Sequence, residues 1–319
     1  MGLTGTCKRI AGALLASPLF MAAALAQDLA FVTSQNGNAV SVIDLGTRQI
    51  LATTTVPGAP APVAYDPAAG LAYVIAADTG RMTVLDKTGA VIGTSNLGEG
   101  AFGIAADGAG ALFVTDWFGG RLMRIDTRLR PVWTVQTGRA PAGVAVSQDG
   151  TLVATADRDD DQVSIFDAVT GRLIRRVPTA GAHPFAISFH DGRLWTADVM
   201  GDTLSVIDPI AGRLIGKVPT GSHPYGVAFA EGRGFVTNQY DATITVFDSE
   251  TLAVIDTLPS GDYPEGIAAL PDGSGVVLAN WESNTVQIID AGSLRVTAEI
   301  EVPSGPRAFG AFTGRPVQP

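Results

Sequence analysis

The chain has 319 residues, 46% of them hydrophobic and 16% charged, with 31 acidic against 21 basic side chains. An acidic balance of this size disfavours nucleic acid and anionic membrane surfaces as partners, since both need a basic patch. Cys7 is the single cysteine, so disulfides are excluded, and 38 Gly with 19 Pro imply many tight turns.

The first residues read as a targeting segment. Lys8 and Arg9 precede an Ala-rich apolar run from Ile10 to Leu25, and Ala24-Leu25-Ala26 is a small-residue cleavage site. A secretory signal peptide is expected over residues 1–26. Pro18 and the shortness of the run argue against a retained membrane anchor. Cleavage removes Cys7 and two cations, leaving 19 basic against 31 acidic side chains, a formal charge of −12. The expected product is a periplasmic or secreted monomer with no membrane insertion.

From residue 27 to 319 one sentence is written seven times. Its clearest copy is Pro224 to Asp248. Val227-Ala228-Phe229 alternates, Glu231 to Gly234 turns, Phe235-Val236-Thr237 is apolar and β-branched, and Thr243 to Phe247 follows. The closing Asp recurs at Asp44, Asp86, Asp126, Asp167, Asp208, Asp248 and Asp290, at intervals of 40 to 42 residues. A period near 40 with four short strands per unit marks a β-propeller blade. The expected fold is all-β, a seven-bladed propeller of four-stranded antiparallel blades, with no room for a second domain.

Phe235–Asn238 (FVTN), followed by TITVFD, resembles the YVTN-repeat propellers, bacterial secreted proteins of the YncE-like kind. Weaker copies are FVTS at Phe31–Ser34, FVTD at Phe113–Asp116, WTAD at Trp195–Asp198 and VLAN at Val277–Asn280. Blade two departs most, with VIAA at Val74–Ala77. The resemblance implies the fold and an exported location. It does not imply one function, because these residues build blades.

Within a blade the strands are named a to d from the channel outward. Leu29–Thr33 matches strand b and Arg307–Phe312 matches strand a, so the C-terminal strand is expected to complete the first blade and close the ring. The closing Asp residues fall where c turns into d, as Asx-type turn residues. Strand b ends at Ser34, Ala76, Asp116, Asp157, Asp198, Asn238 and Asn280, read as loop caps on what is here termed the top face. The acidic run Asp157 to Asp161 lacks the spacing of a calcium loop.

The repeats disagree most beside the Pro that opens strand a. Before it stand Ala61, Gly100, Ala140, His183, His223, Tyr263 and Gly305. After it stand Val63, Phe102, Ala142, Phe185, Tyr225, Glu265 and Arg307. Blades five, six, seven and one thus bring His183, Phe185, His223, Tyr225, Tyr263, Glu265 and Arg307 to one channel mouth, with Tyr240 and Trp281 from the b–c loops. This arc is the candidate ligand site, set against the plainer reading of a channel plug. His183 and His223 are candidate ligands of a transition metal, although no third donor is spaced with them.

Three functions fit. The first is a non-catalytic propeller binding a small molecule or a periplasmic protein at the top-face channel mouth, without a cofactor. The second is a propeller enzyme of lactonase or lyase type, with His183 and Glu265 as an acid–base pair. The third is an accessory to a quinone- or copper-dependent oxidoreductase, which the family resemblance suggests.

Overall fold

A computed structural model describes residues 1–2 and 27–317. The expected signal segment therefore falls almost wholly outside the described residues. Those residues form seven four-stranded antiparallel sheets and almost no helix, only the single turn Arg158–Asp160. The fold is a seven-bladed β-propeller. Among the described residues no helix is long and apolar enough to cross a membrane.

Blade six shows the common plan: Pro224–Ala230, Arg233–Asn238, Thr243–Asp248 and Val254–Pro259 are strands a to d. Strands b and c are buried on both faces and strand d is mostly exposed. That gradient explains why b and c read as continuous Val, Ile and Phe runs rather than alternations. All seven closing Asp residues accept backbone N–H bonds in the c–d turn. Asp248 Oδ1, for example, takes Glu250 N at 3.1 Å and Thr251 N at 2.7 Å.

In three blades the Thr of the repeat motif ties the blade edge to the next blade, while Thr155 and Thr196 bond the Asp that caps their own strand. Thr237 Oγ1 accepts Gly226 N within its own blade and donates 2.7 Å to Glu265 O of the next. Thr115 does the same toward Ala142 O at 2.8 Å, and Thr33 toward Ala61 O at 2.7 Å. Adjacent a strands run so close that a Cβ on Gly266 would lie 2.1 Å from Ala308 O. Glycine follows the variable mouth residue there for that reason.

Two expectations on strand a are corrected. In blade two the opening residue is Pro60, which pairs with Ala76 as Pro224 pairs with Asn238. The flanking pair is therefore Ala59 and Ala61, not Ala61 and Val63, and positive φ at Ala59 matches that at His183 and His223. The second correction concerns Arg307–Phe312, which is not a regular strand. Ser34 bridges Pro306 and Leu29 pairs Gly314, so the closing segment carries three residues more than the strand it faces. The excess bulges inward, with Ala308 and Gly310 at positive φ. Its backbone bonds to both sides: Phe31 N donates to Phe312 O, and Val63 N to Phe309 O of the same segment.

Phe312 is fully buried in the cluster shared by blades one, two and seven. Phe312→Ala should cost about 3–5 kcal/mol of unfolding free energy. Removing residues 307–319 should leave a chain that aggregates. Denaturant titration and gel filtration check both, and an unchanged transition for the truncated chain would show that the ring holds without this segment.

Candidate functional site

The top-face backbone repeats in every blade. The residue before the opening Pro, or its equivalent, offers its carbonyl to the first residue after strand b. Thus Gln239 N donates to His223 O at 3.0 Å, Val199 N to His183 O at 3.0 Å, and Trp281 N to Tyr263 O at 2.9 Å. These carbonyl-bearing residues sit at positive φ, +57° at His183, +56° at His223 and +53° at Tyr263, a strained state for bulky side chains. Acceptors from the preceding blade hold two of them: Asp161 Oδ1 takes His183 N at 2.7 Å, and Asp202 Oδ1 takes His223 N at 2.9 Å. The frame is thus fixed while the side chains vary.

The residues after the Pro form the inner ring: Ala61, Phe102, Ala142, Phe185, Tyr225, Glu265 and Arg307. One side is aromatic. Phe185 lies 4.6 Å from Tyr225, 4.8 Å from Phe309 and 5.7 Å from Phe102 by ring centroids. The inward bulge supplies Phe309, which fills the middle and separates the mouth from the channel below. That lower channel encloses about 370 Å³ among small apolar side chains and opens on the opposite face near His190.

The other side of the ring is charged. Arg307 donates to both oxygens of Glu265, from Nε and Nη2, with Nη2–Oε1 at 2.8 Å. Arg307 Nη2 also reaches Tyr225 Oη at 3.0 Å, and its Nη1 reaches Gln35 Oε1 at 3.0 Å. Gln239 Nε2 donates to Glu265 Oε1 at 2.7 Å. Glu265 is 1% exposed. Burial pushes its carboxyl up, and the Arg307 charge and hydrogen bonds oppose that shift. Burial pulls the guanidinium down, but the Tyr225 oxygen and Glu265 outweigh it and hold Arg307 above its ordinary value. A forked guanidinium facing both carboxylate oxygens keeps the pair ionised. Desolvation by burial raises the Tyr225 phenol far above its ordinary value.

The rest of the predicted arc forms an outer row. His223 stacks on Tyr240 at 3.8 Å, Tyr240 meets Tyr263 at 5.6 Å, and Tyr263 meets Trp281 at 6.0 Å. Arg307 lies over Trp281 at 5.9 Å, joining the outer row to the inner ring. The imidazole of His223 shares a hydrogen bond with Ser222 Oγ at 2.9 Å, whereas His183 Nδ1 and Trp281 Nε1 are buried without partners. Among the described residues no group of three or more His, Cys, Asp or Glu could hold a metal ion. His190, near the opposite face, is half-buried and stacks on Phe229 at 4.0 Å.

The open space of the mouth is a cavity of about 520 Å³. Its floor is Phe102, Trp117, Phe185 and Tyr225, with Phe118, Arg158, Val199, Gln239 and Arg307 around it. Arg158 stands 5.6 Å over Trp117. The cavity thus leans toward blades three and four as well as five and six. Trp117, Phe118 and Arg158 were outside the predicted arc. Their signal was present: they are b–c loop residues equivalent to Gln239 and Tyr240, where the repeats also disagree.

No family model matches the sequence, and no curated protein matches it. Solved structures do. A functionally unknown protein from Desulfotomaculum acetoxidans DSM 771 is similar with a TM-score of 0.75 at 14% identity, over 89% of this chain and 100% of its own. The dihydro-heme d1 dehydrogenase NirN, solved in complex with DHE, is similar with a TM-score of 0.68 at 17% identity, over 92% of this chain and 77% of its own. At such identities the likeness carries the propeller fold and no more.

The strand-b caps are structural. Asp198 is fully buried, takes Thr196 Oγ1 at 2.6 Å and Ser205 Oγ at 2.5 Å, and burial pushes its carboxyl up to about 7. An acid whose folded pKa lies above its unfolded value near 3.8 stabilises the fold below that value. The contribution is lost as pH rises from there through about 7. Asn238 fills the equivalent position of blade six with hydrogen bonds to Thr243 and Thr245. Asp198→Asn should therefore fold and should flatten the decline of stability with pH over that window. Denaturant midpoints at about pH 5 and about pH 7.5 check this, and parallel pH profiles for the two proteins would contradict it.

Proposed function

We propose that this chain is a non-catalytic periplasmic propeller, of the YVTN-repeat kind its motifs resemble, that binds a ligand at the top-face channel mouth. The observation that carries the reading is the cavity of about 520 Å³ with four aromatic rings in its floor. Its size suits a small organic molecule or one inserted side chain. Its aromatic floor supplies apolar contact, and Gln239, Arg158 and Arg307 supply few, fixed polar groups.

The same geometry speaks against acid–base chemistry at the mouth. Glu265 is 1% exposed, both of its oxygens accept hydrogen bonds from Arg307, one also from Gln239, and it does not line the cavity, so it is not placed to exchange a proton with a substrate there. The His183 backbone bonds Asp161 and Val199, and its Nδ1 is buried without a partner and makes no hydrogen bond to Glu265. Export rests on the N-terminal segment and the acidic surface.

N-phenyl-1-naphthylamine, a neutral aromatic fluorophore, tests the site. It should bind with one-to-one stoichiometry. Phe118 is 79% exposed at the rim, so Phe118→Ala should leave folding intact and weaken binding about tenfold, which corresponds to about 1.4 kcal/mol. Ala77→Trp, which fills the cavity from its wall, should abolish the signal. No binding by the wild type, or equal binding by the filled variant, would refute the reading.

A further inference from the structure

The face on which the cavity opens is acidic. Counted between strand ends, the top-face loops (b to c and d to a) hold nine Asp and Glu and three Arg, and the opposite loops hold eight and six, to which the six closing Asp residues at the ends of the c strands are added. All three top-face Arg are neutralised, Arg158 by Asp159, Arg139 by Asp160 and Arg307 by Glu265. Asp78, Glu99, Asp202, Asp241, Asp262 and Glu282 are in no ion pair among the described residues. The cavity thus opens among carboxylates that have no cationic partner.

One repeat position adds a second pattern. The second residue of the b–c loop is Phe118, Met200 and Tyr240 in blades three, five and six, exposed by 79%, 57% and 58%. In blades two, four and seven it is Asp78, Asp159 and Glu282. Tyr240 packs against His223 and Tyr263 yet stays 58% exposed, while no hydrogen bond or core contact of this fold accounts for Phe118 and Met200 held in water at the same loop position. Val169 and Ile210 are as exposed on the other face. They lie in c–d turns at the outer rim, away from the channel.

We infer that the top face docks a protein partner with a cationic surface, one of whose apolar side chains enters the cavity. This rests on the binding reading above and names its occupant. Unpaired carboxylates around apolar anchors match Lys and Arg flanking a Leu or Trp. They would repel an acidic partner and set a salt-dependent association rate. The buried anchor supplies affinity and the acidic rim supplies selection.

The test uses synthetic peptides of Lys-Leu-Trp-Lys repeats, the same repeats with Glu for Lys, and the same repeats with Ser for Lys, on the full exported protein. The cationic peptide should bind at least tenfold tighter than the other two, and less tightly when salt is raised from about 50 to about 300 mM. The pair Asp262→Lys and Glu282→Lys on the top face should weaken it about tenfold or more. The matched pair Glu231→Lys and Glu250→Lys on the opposite face should change it less than twofold. Phe118→Ser with Tyr240→Ser should weaken it while the melting temperature holds. Equal binding of all three peptides, or equal loss from both charge-reversed pairs, would overturn the inference. If the neutral fluorophore binds and the cationic peptide does not, the cavity takes a small molecule and the docking inference fails alone. If neither binds, both readings fail.

Discussion

The top of this molecule depends on one buried ion pair. Glu265 is essentially inaccessible to water, and a lone carboxylate there would be expensive. Arg307 neutralises it, and the remaining groups of the two side chains are taken up by Tyr225, Gln239 and Gln35. These five residues come from blades six and seven, the first b–c loop and the C-terminal segment, so the pair links the two ends of the described chain to the last blades. The bulge that carries Arg307 also delivers Phe309, so placing the charge and plugging the channel are one structural event.

Around that pair the fold separates what is fixed from what varies. The closing Asp turns and the carbonyl bonds of the d–a loops repeat around the ring and hold the backbone, and motif Thr hydroxyls add to them in three blades. The residue after each Pro is released from that task. It can be Ala, Phe, Tyr, Glu or Arg without altering the frame. A propeller therefore offers a ring of substitutable side chains at nearly constant geometry, and here they divide into an aromatic floor and a charged flank. The floor borders a cavity, and the flank is self-satisfied.

Much of this was legible in the sequence because it is periodic. The blade count, the closing Asp turns and the seven strand-b ends follow from a repeat of about 40 residues. What failed was local or non-periodic. In Ala59-Pro60-Ala61-Pro62 two prolines stand two residues apart, and only backbone pairing selects Pro60. The three-residue excess in Arg307–Phe312 has no counterpart in other blades, so alignment to a regular strand concealed it. The extension of the cavity toward blades three and four was hidden for a third reason. Phe102, Phe185 and Phe309 meet across the ring, and curvature rather than spacing brings them together. The two histidines show the converse: equivalent positions in adjacent blades put them on one rim, yet one stacks on Tyr240 and the other turns its Nδ1 into the protein.

The central claim is that Glu265 and Arg307 are a coupled structural unit and not independent surface charges or catalytic groups. A double-mutant cycle with Glu265→Gln and Arg307→Gln, read by denaturant unfolding, tests it most directly. Each single change should cost about 3–5 kcal/mol, because it strands a buried charge or its partners. The double variant should cost clearly less than the two together, with a coupling of about 2–3 kcal/mol. Strictly additive losses would contradict the account, and so would single losses below about 1 kcal/mol, the range of exposed pairs.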